Sequence, residues 1–175
     1  MPEPSDTDWA YAAGFVDGEG CIAVTRGFVP ARAKYTYSVA VVVANRERAV
    51  LEWFKDLWGG WVVGVPRGTG RSRDCWNWRS PTGSSCEPFL VGIQPWLKIK
   101  RPQCDNALSM VAVLRRSRYT LGPKTLPPEW ASLQEKHYWV QREMNHRGTD
   151  PFVAEPMHSP RAINRRRRVG EANER

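Results

Sequence analysis

The chain has 175 residues, with 26 Lys and Arg against 18 Asp and Glu and a formal net charge of +8. This length corresponds to one domain with its own hydrophobic core and is short for two domains that each carry an active site. A function that needs two copies of a site would therefore draw the second copy from another chain. The positive charge favours a polyanionic partner, nucleic acid ahead of a membrane surface.

Nine Trp, five Tyr and five Phe are typical of a packed globule rather than of a disordered chain. The four cysteines form no C-x-x-C pair, which argues against a structural zinc site. The first residues are acidic and Pro-rich rather than a signal peptide, and no apolar run reaches about 18 residues, so we expect no membrane span. We expect an intracellular protein with reduced thiols, with an organelle and a prokaryotic cytoplasm equally compatible.

The first half of the chain predicts a helix, two strands and a second helix. The predicted elements are a lead-in over 1–8, a helix over 9–18, strands over 21–26 and 35–43, and a helix of about a dozen residues from Asn45. Asp8 is the predicted N-cap of the first helix. In the second strand a large core face alternates with a smaller, more polar face. The residues of the predicted core face are Tyr35, Tyr37, Val39, Val41 and Val43.

The second half repeats the strand pair and then becomes helical. Its predicted elements are strands over 61–66 and 75–79, helices over 88–97 and 102–117, a Pro-rich linker over 123–128, and a helix over 129–145. Because a helix–strand–strand unit occurs twice, the order predicts an α+β fold. We interpret 9–148 as one domain. The tail over 149–175 is Pro-rich and basic, and we expect it to be poorly ordered on its own.

The most informative segment is 12–20, Ala-Ala-Gly-Phe-Val-Asp-Gly-Glu-Gly. Gly14 and Gly18 are four residues apart and share a helix face, with Ala10 one turn earlier. Small residues at this spacing let two helix backbones approach closely. One interpretation is tight packing within the chain. The other is a homodimer in which this helix meets its own copy across a two-fold axis, with Ala10, Gly14, Asp17 and Gly18 at the interface.

Glu19 stands at the end of this helix, where a two-fold axis would bring it close to its own copy. Two adjacent carboxylates repel each other unless a cation lies between them. Hard divalent ions such as Mg²⁺ prefer carboxylate oxygen, and Mn²⁺ or Ca²⁺ can take the place of Mg²⁺. The pattern predicts a divalent metal site, and the alternative interpretation is a surface acid in a turn.

Segment 12–20 closely resembles the motif of the LAGLIDADG homing endonucleases. Segment 94–100, Gln-Pro-Trp-Leu-Lys-Ile-Lys, and segment 43–46, Val-Ala-Asn-Arg, are also similar to segments of that family, in the same order. The resemblance spans about 9–147 and implies the αββαββα fold of the family. It further implies a homodimeric, intron- or intein-encoded endonuclease, which makes metal-dependent double-strand breaks with short 3′ overhangs at a long, partly palindromic DNA site.

The resemblance also implies roles for individual residues. Glu19, next to Gly18, would hold the metal; the family usually has Asp here, and Glu keeps the charge with a longer reach. Lys100 matches the active-site lysine, which can stabilise the charge of the transition state, with Lys98 as the rival. Asn45 stands where the family often has Gln and could orient a water molecule, although an N-cap is the alternative.

The strands are predicted to supply the DNA-reading surface, because an antiparallel sheet can lie in the major groove. Arg is the usual partner of guanine, and Asn is the usual partner of adenine. The candidate DNA contacts are Thr25, Arg26, Thr36, Ser38, Arg67, Arg71, Arg73, Asn77, Arg79 and Arg147. Arg48, on the first turn of the second helix, is a further active-site candidate that could reach a phosphate. Trp76 and Trp78 are assigned to the core.

Two other functions remain open. An intron-splicing maturase would bind RNA with the same fold, since a basic sheet also suits structured RNA. A DNA-binding regulator without cleavage is the second alternative, and the acid at 19 and the lysine at 100 argue against it.

Overall fold

The computed structural model describes residues 3–32, 34–65, 75–121 and 126–146. The described α-helices are α1 (Asp6–Glu19), α2 (Arg48–Trp58), α3 (Glu87–Ile93), α4 (Arg101–Leu121) and α5 (Pro128–Asn145). The described strands are β1 (Gly20–Val29), β2 (Lys34–Asn45), β3 (Trp61–Gly64) and β4 (Trp76–Arg79). The prediction of an α+β fold is confirmed.

The strands form one antiparallel sheet in the order β1-β2-β4-β3. β4 lies between β2 and β3, and Trp78 is paired with Val43 on one side and with Val62 on the other. Because successive side chains of a strand point to opposite faces, this register assigns every strand residue to one of two faces.

The helices cover one face of the sheet, and the hydrophobic core lies between that face and the helices. Alternate residues of β2 are fully buried in this core, namely Val39, Val41 and Val43. This part of the predicted core face is therefore confirmed. Tyr35, predicted on the same face, is 40% exposed. Trp78 is fully buried as predicted, whereas Trp76 is only half-buried.

Two helices begin elsewhere than predicted. Ser5 rather than Asp8 is the N-cap of α1, and the two residues form a capping box. The Asp8 carboxylate accepts a hydrogen bond from the Ser5 amide at 2.8 Å, and the bonds from Ser5 hold the pKa of Asp8 below its ordinary value. α2 begins at Arg48 with Glu47 as its N-cap, while Asn45 is still the last residue of β2.

The predicted helix over 88–97 is shorter in the structure. α3 ends at Ile93, and a 3₁₀ turn follows over Gln94–Trp96. Pro95 has no amide hydrogen to donate to a helix, so the chain tightens here and turns towards α4. In the described part of the chain no helix is long and apolar enough to cross a membrane.

Candidate catalytic cleft

Glu19 lies at a tight corner between α1 and β1. The amide of Gly20 donates to the Val16 carbonyl and closes the last turn of the helix. A Cβ atom on Gly20 would come within 2.7 Å of the Val16 Cα atom. Only glycine allows this approach of strand to helix, and the corner leaves the neighbouring Glu19 side chain exposed.

A cleft of about 490 Å³ opens beside Glu19. Three separate parts of the chain form its walls: the α1–β1 corner, the start of α4 with the turn before it, and the C-terminal end of α5. The lining residues are Gly18, Glu19, Gly20, Cys21, Ile99, Lys100, Gln103, Met144 and Asn145. Glu19 is the acidic side chain among them. Among the described residues, no three His, Cys, Asp or Glu side chains are grouped to hold a metal ion within one chain.

The Asp17 carboxylate joins α1 to the turn before α4. It accepts hydrogen bonds from the backbone amides of Lys98 at 2.7 Å, Ile99 at 3.3 Å and Lys100 at 2.8 Å. Three amide donors on one carboxylate fix the turn against the end of the helix. The sequence predicted Asp17 at a dimer interface, whereas these partners lie within the chain.

Lys100 makes the reciprocal connection from the turn back to α1. Its Nζ atom donates to the carbonyls of Val16 at 2.7 Å and Asp17 at 2.6 Å, and the residue is only 7% exposed. Both carbonyls belong to the last turn of α1, where a cation offsets the negative end of the helix dipole. Of the two candidate lysines, Lys100 lines the cleft, whereas Lys98 is exposed outside it.

We expect Asp17→Asn to lower the free energy of unfolding by about 2 kcal/mol, because hydrogen bonds to a charged group are worth about 1.5–3 kcal/mol. The asparagine side chain has no negative charge and has one acceptor oxygen in place of the two of the carboxylate. Urea denaturation measures the loss, with Asp56→Asn on the exposed face of α2 as the matched control. Equal stability of the two variants would contradict the role given to Asp17.

Asn45 and Arg48 do not line the cleft. The Asn45 side-chain oxygen accepts a hydrogen bond from the Glu47 amide at 2.8 Å and so shapes the turn between β2 and α2. Its alternative as an N-cap is wrong, since Glu47 has that position. Arg48 is paired with Glu52 at 2.8 Å, and its guanidinium lies 4.6 Å from the centre of the Trp76 ring.

The strand register brings five of the predicted DNA contacts to one sheet face, opposite the helices. Thr25 is paired with Ser38, and Gly27 with Thr36. Asn77 and Arg79 of β4 pair with Ala44 and Val42, which alternate with the buried residues of β2. We call this set the reading face: Thr25, Thr36, Ser38, Asn77 and Arg79.

Arg26 does not lie on the reading face. It alternates with Thr25 and shares the helix-facing side of β1 with the buried Ile22 and Val24. Its guanidinium pairs with the Glu135 carboxylate at 2.6 Å and is 21% exposed. The prediction of Arg26 as a DNA contact is therefore corrected by the register. The remaining candidates lie outside the described residues, namely Arg67, Arg71, Arg73 and Arg147.

A second concave surface runs along α1 and also ends at Glu19. This groove of about 420 Å³ is lined by Ala10, Tyr11, Gly14, Phe15 and Glu19. A Cβ atom on Gly14 or Gly18 would meet no other atom within 4 Å in the described part of the chain. Gly14 and Gly18 thus leave room beside α1 that no other part of the described chain fills.

The comparisons with solved structures agree on the fold. The archaeal intron-encoded homing endonuclease I-Vdi141I, complexed with DNA, is similar with a TM-score of 0.66 and 15% identity, over 91% of this chain and 96% of that chain. I-CvuI in complex with its target in the presence of Ca is similar with a TM-score of 0.60 and 22% identity, over 95% and 94% of the two chains. The LAGLIDADG homing endonuclease I-LtrWI bound to target DNA gives 0.58 and 14%, over 79% of this chain and 44% of that chain.

This chain has the LAGLIDADG homing endonuclease fold. No family profile and no curated protein sequence matches it. In this fold the motif helix is α1, and the segment that resembles the family's second stretch, 94–100, contains the turn held by Asp17. Three lining residues of the cleft, Gln103, Met144 and Asn145, carry no signal in the sequence, because only the packing of α4 and α5 brings them there.

Proposed function

We propose that this protein is a homodimeric, sequence-specific DNA endonuclease that requires a divalent metal ion. The observation that carries the proposal is the position of Glu19, which borders both the cleft and the groove along α1. A partner seated in the groove would also lie next to the carboxylate. Several structures with this fold, including those of I-CvuI and I-Vdi141I, are complexes with DNA, which supports DNA as the substrate.

The exposed glycine face of α1 supports the proposed dimer. Gly14 and Gly18 are exposed, and a Cβ atom on either would meet no other element of the described chain within 4 Å. Tyr11 on the same helix is 52% exposed. A second copy of the same helix is self-complementary to this face around a two-fold axis. The two Glu19 carboxylates would then lie near the axis, and each copy would complete the other's site.

The residues at the corner fit a divalent metal ion. Glu19 offers an exposed carboxylate, which is the hard oxygen donor that Mg²⁺, Mn²⁺ and Ca²⁺ prefer, and the dimer would supply two of them. When bound, such an ion supplies Lewis acidity for hydrolysis of a phosphodiester. Lys100 lines the same cleft as Glu19, and its Nζ atom is held by the α1 carbonyls. An ammonium group there would favour a phosphate in the cleft.

The reading face would contact the base edges on either side of the cut. An antiparallel sheet fits the major groove, and two copies of one sheet suit a long, partly palindromic site. Doubling the net charge of +8 makes the dimer strongly positive, which favours the DNA backbone. The cut across the centre would leave short 3′ overhangs, as the resemblance implies.

We expect Arg79→Ala to lose discrimination at a limited set of base pairs, by about 1–3 kcal/mol at each if the guanidinium makes a bidentate contact. Arg79 is exposed on the reading face. Competition binding against single-base variants of the selected target measures the loss. Lys55→Ala on α2 is the control, since it removes the same charge away from the sheet. A uniform loss across all sequences would make Arg79 a phosphate contact.

Selection of cleaved sites from a random duplex library in Mg²⁺ tests the proposed function as a whole. We expect an enriched, partly palindromic sequence and products with short 3′ overhangs. Absence of any cleaved duplex at high enzyme concentration would refute the endonuclease. Binding to structured RNA in that case would support the maturase instead.

A further inference from the structure

α5 is hydrogen-bonded to the outer edge of β1, just after the corner between α1 and β1 at which Glu19 lies. The side-chain amides of Gln141 and Asn145, one helical turn apart, both donate to the Ile22 carbonyl, at 2.7 and 2.8 Å. Val41 is the residue of β2 that pairs with Ile22. Its amide donates to the Ser80 hydroxyl and its carbonyl accepts from the Ser80 amide, both on the side of β2 away from β1. The Ile22 carbonyl therefore points away from β2 at the edge of the sheet, and the side chains of α5 supply its hydrogen-bond donors.

The Gln141 amide is itself held in one orientation. Gln141 is 1% exposed, and its side-chain oxygen accepts a hydrogen bond from the Asn106 amide of α4 at 2.9 Å. Asn106 also donates to the His137 carbonyl at 2.9 Å and lies 2.7 Å from the His137 Nδ1 atom. Burial lowers the pKa of His137, which favours the neutral ring in this network. The bond to Ile22 is thus part of a connected network across α4, α5 and β1.

The middle of α5 is hydrogen-bonded to the middle of the β1–β2 hairpin. The Glu135 carboxylate accepts hydrogen bonds from Arg26 at 2.6 Å, from the Trp139 indole at 2.6 Å, and from the Tyr37 hydroxyl. The Arg26 guanidinium also lies 4.7 Å from the centre of the Tyr138 ring. One carboxylate therefore connects α5 to both strands of the hairpin.

We propose that α5 is a brace for β1, with two contact sites that position different parts of the reaction. The inference rests on the proposed function. The Gln141–Asn145 site fixes the start of β1 and thereby the Glu19 carboxylate, which lies three residues before Ile22 in the chain. The Glu135 site, in the middle of α5, fixes the hairpin and thereby Thr25 and Thr36 of the reading face.

The two contact sites are far enough apart along β1 to act separately. Ile22 and Arg26 are separated by four residues, which is about 13 Å along a strand at about 3.3 Å per residue. A shift of the start of β1 moves the acid relative to the phosphate and slows the chemical step. A shift of the hairpin moves the base contacts and weakens binding, because Thr25 and Thr36 neighbour Arg26 and Tyr37 in the strands.

For the Gln141–Asn145 site, we expect Asn145→Ala to slow cleavage about tenfold. The rate is measured in single turnover at saturating DNA, on the target selected with the parent protein, and the dissociation constant for DNA should stay within twofold of the parent's. Asn145→Gln keeps an amide donor and should restore part of the rate. Asn145→Asp has no donor and should resemble the alanine variant. Glu143→Gln, an exposed change on the same helix, is the matched control.

For the Glu135 site, we expect Glu135→Gln to weaken binding to the target about tenfold. The single-turnover rate of cleavage should be unchanged once DNA is saturating. The glutamine has the same shape but can no longer accept from three donors. The same Glu143→Gln control corrects for the lost negative charge. All variants are assayed below the melting temperature of the least stable one.

Equal changes of rate and of affinity in both variants, or no change in either, would overturn the brace. If the parent binds DNA without cutting it, the proposed endonuclease is refuted and the brace is judged by the affinity of Glu135→Gln alone. A parent that binds no DNA refutes both.

Discussion

We expect Glu19→Gln to abolish cleavage, by about 10³-fold or more, while DNA affinity stays nearly unchanged. The side chain is exposed at the corner of α1 and β1, so the isosteric amide disturbs no packing in the described chain. It removes the charge that would attract a divalent ion to the cleft. A cleavage assay with Mg²⁺ and a binding assay with Ca²⁺ measure the two effects separately.

Glu143→Gln is the control for this variant, because it makes the same chemical change on the exposed side of α5. It should leave both cleavage and binding as in the parent. A Glu19→Gln protein that still cuts with Mg²⁺ would show that the metal assignment is wrong. A variant that loses binding and cleavage together would instead assign Glu19 a role in holding DNA.

The second large effect is expected for Gly14→Leu, which should raise the dissociation constant of the dimer by about 100-fold or more, since overpacking costs about 1–3 kcal/mol and occurs in both copies. Within one chain a Cβ atom at this position meets nothing within 4 Å in the described part. Glycine is also about 1 kcal/mol less favourable than alanine in a helix interior, so the isolated fold should tolerate the change.

Sedimentation velocity across a range of concentrations measures the association, and circular dichroism confirms that the variant is folded. Ala131→Leu, an exposed change on α5, is the matched control. Cleavage should fall together with the dimer population, because each chain supplies half of the site. A parent protein that is monomeric at concentrations at which it cuts DNA would refute the symmetric arrangement.

Local sequence was sufficient for much of the fold. The alternation in β2 predicted three buried valines correctly, because side chains on a strand alternate whatever the strand pairs with. The helical spacing of Ala10, Gly14 and Gly18 likewise depends only on the 3.6-residue repeat, and in the structure a Cβ atom on Gly14 or Gly18 would meet no other element of the described chain within 4 Å. The predictions failed at the helix starts, where Ser5 and Glu47 compete with other capping residues nearby.

Local sequence did not predict which face of β1 the helices cover. Arg26 and Thr25 are neighbours in the sequence and were predicted to share one role. Because consecutive side chains of a strand alternate, the two lie on opposite faces whatever β1 pairs with. The tertiary structure decides that the face of Arg26 is the one the helices cover, where Arg26 pairs with Glu135, 109 residues away in the chain. No pattern within a few residues of Arg26 reports that ion pair.

By itself, then, the sequence determined the motif helix with its glycines on one face, the terminal acid Glu19 and the α+β order of elements, since each depends on contacts between near neighbours in the chain. Only the tertiary structure decided that Lys100 closes the end of α1, at residues 84 and 83 positions away, and that Gln141 holds a strand 119 positions away. Those hydrogen bonds form because separate elements pack against one another, and the packing depends on the whole chain.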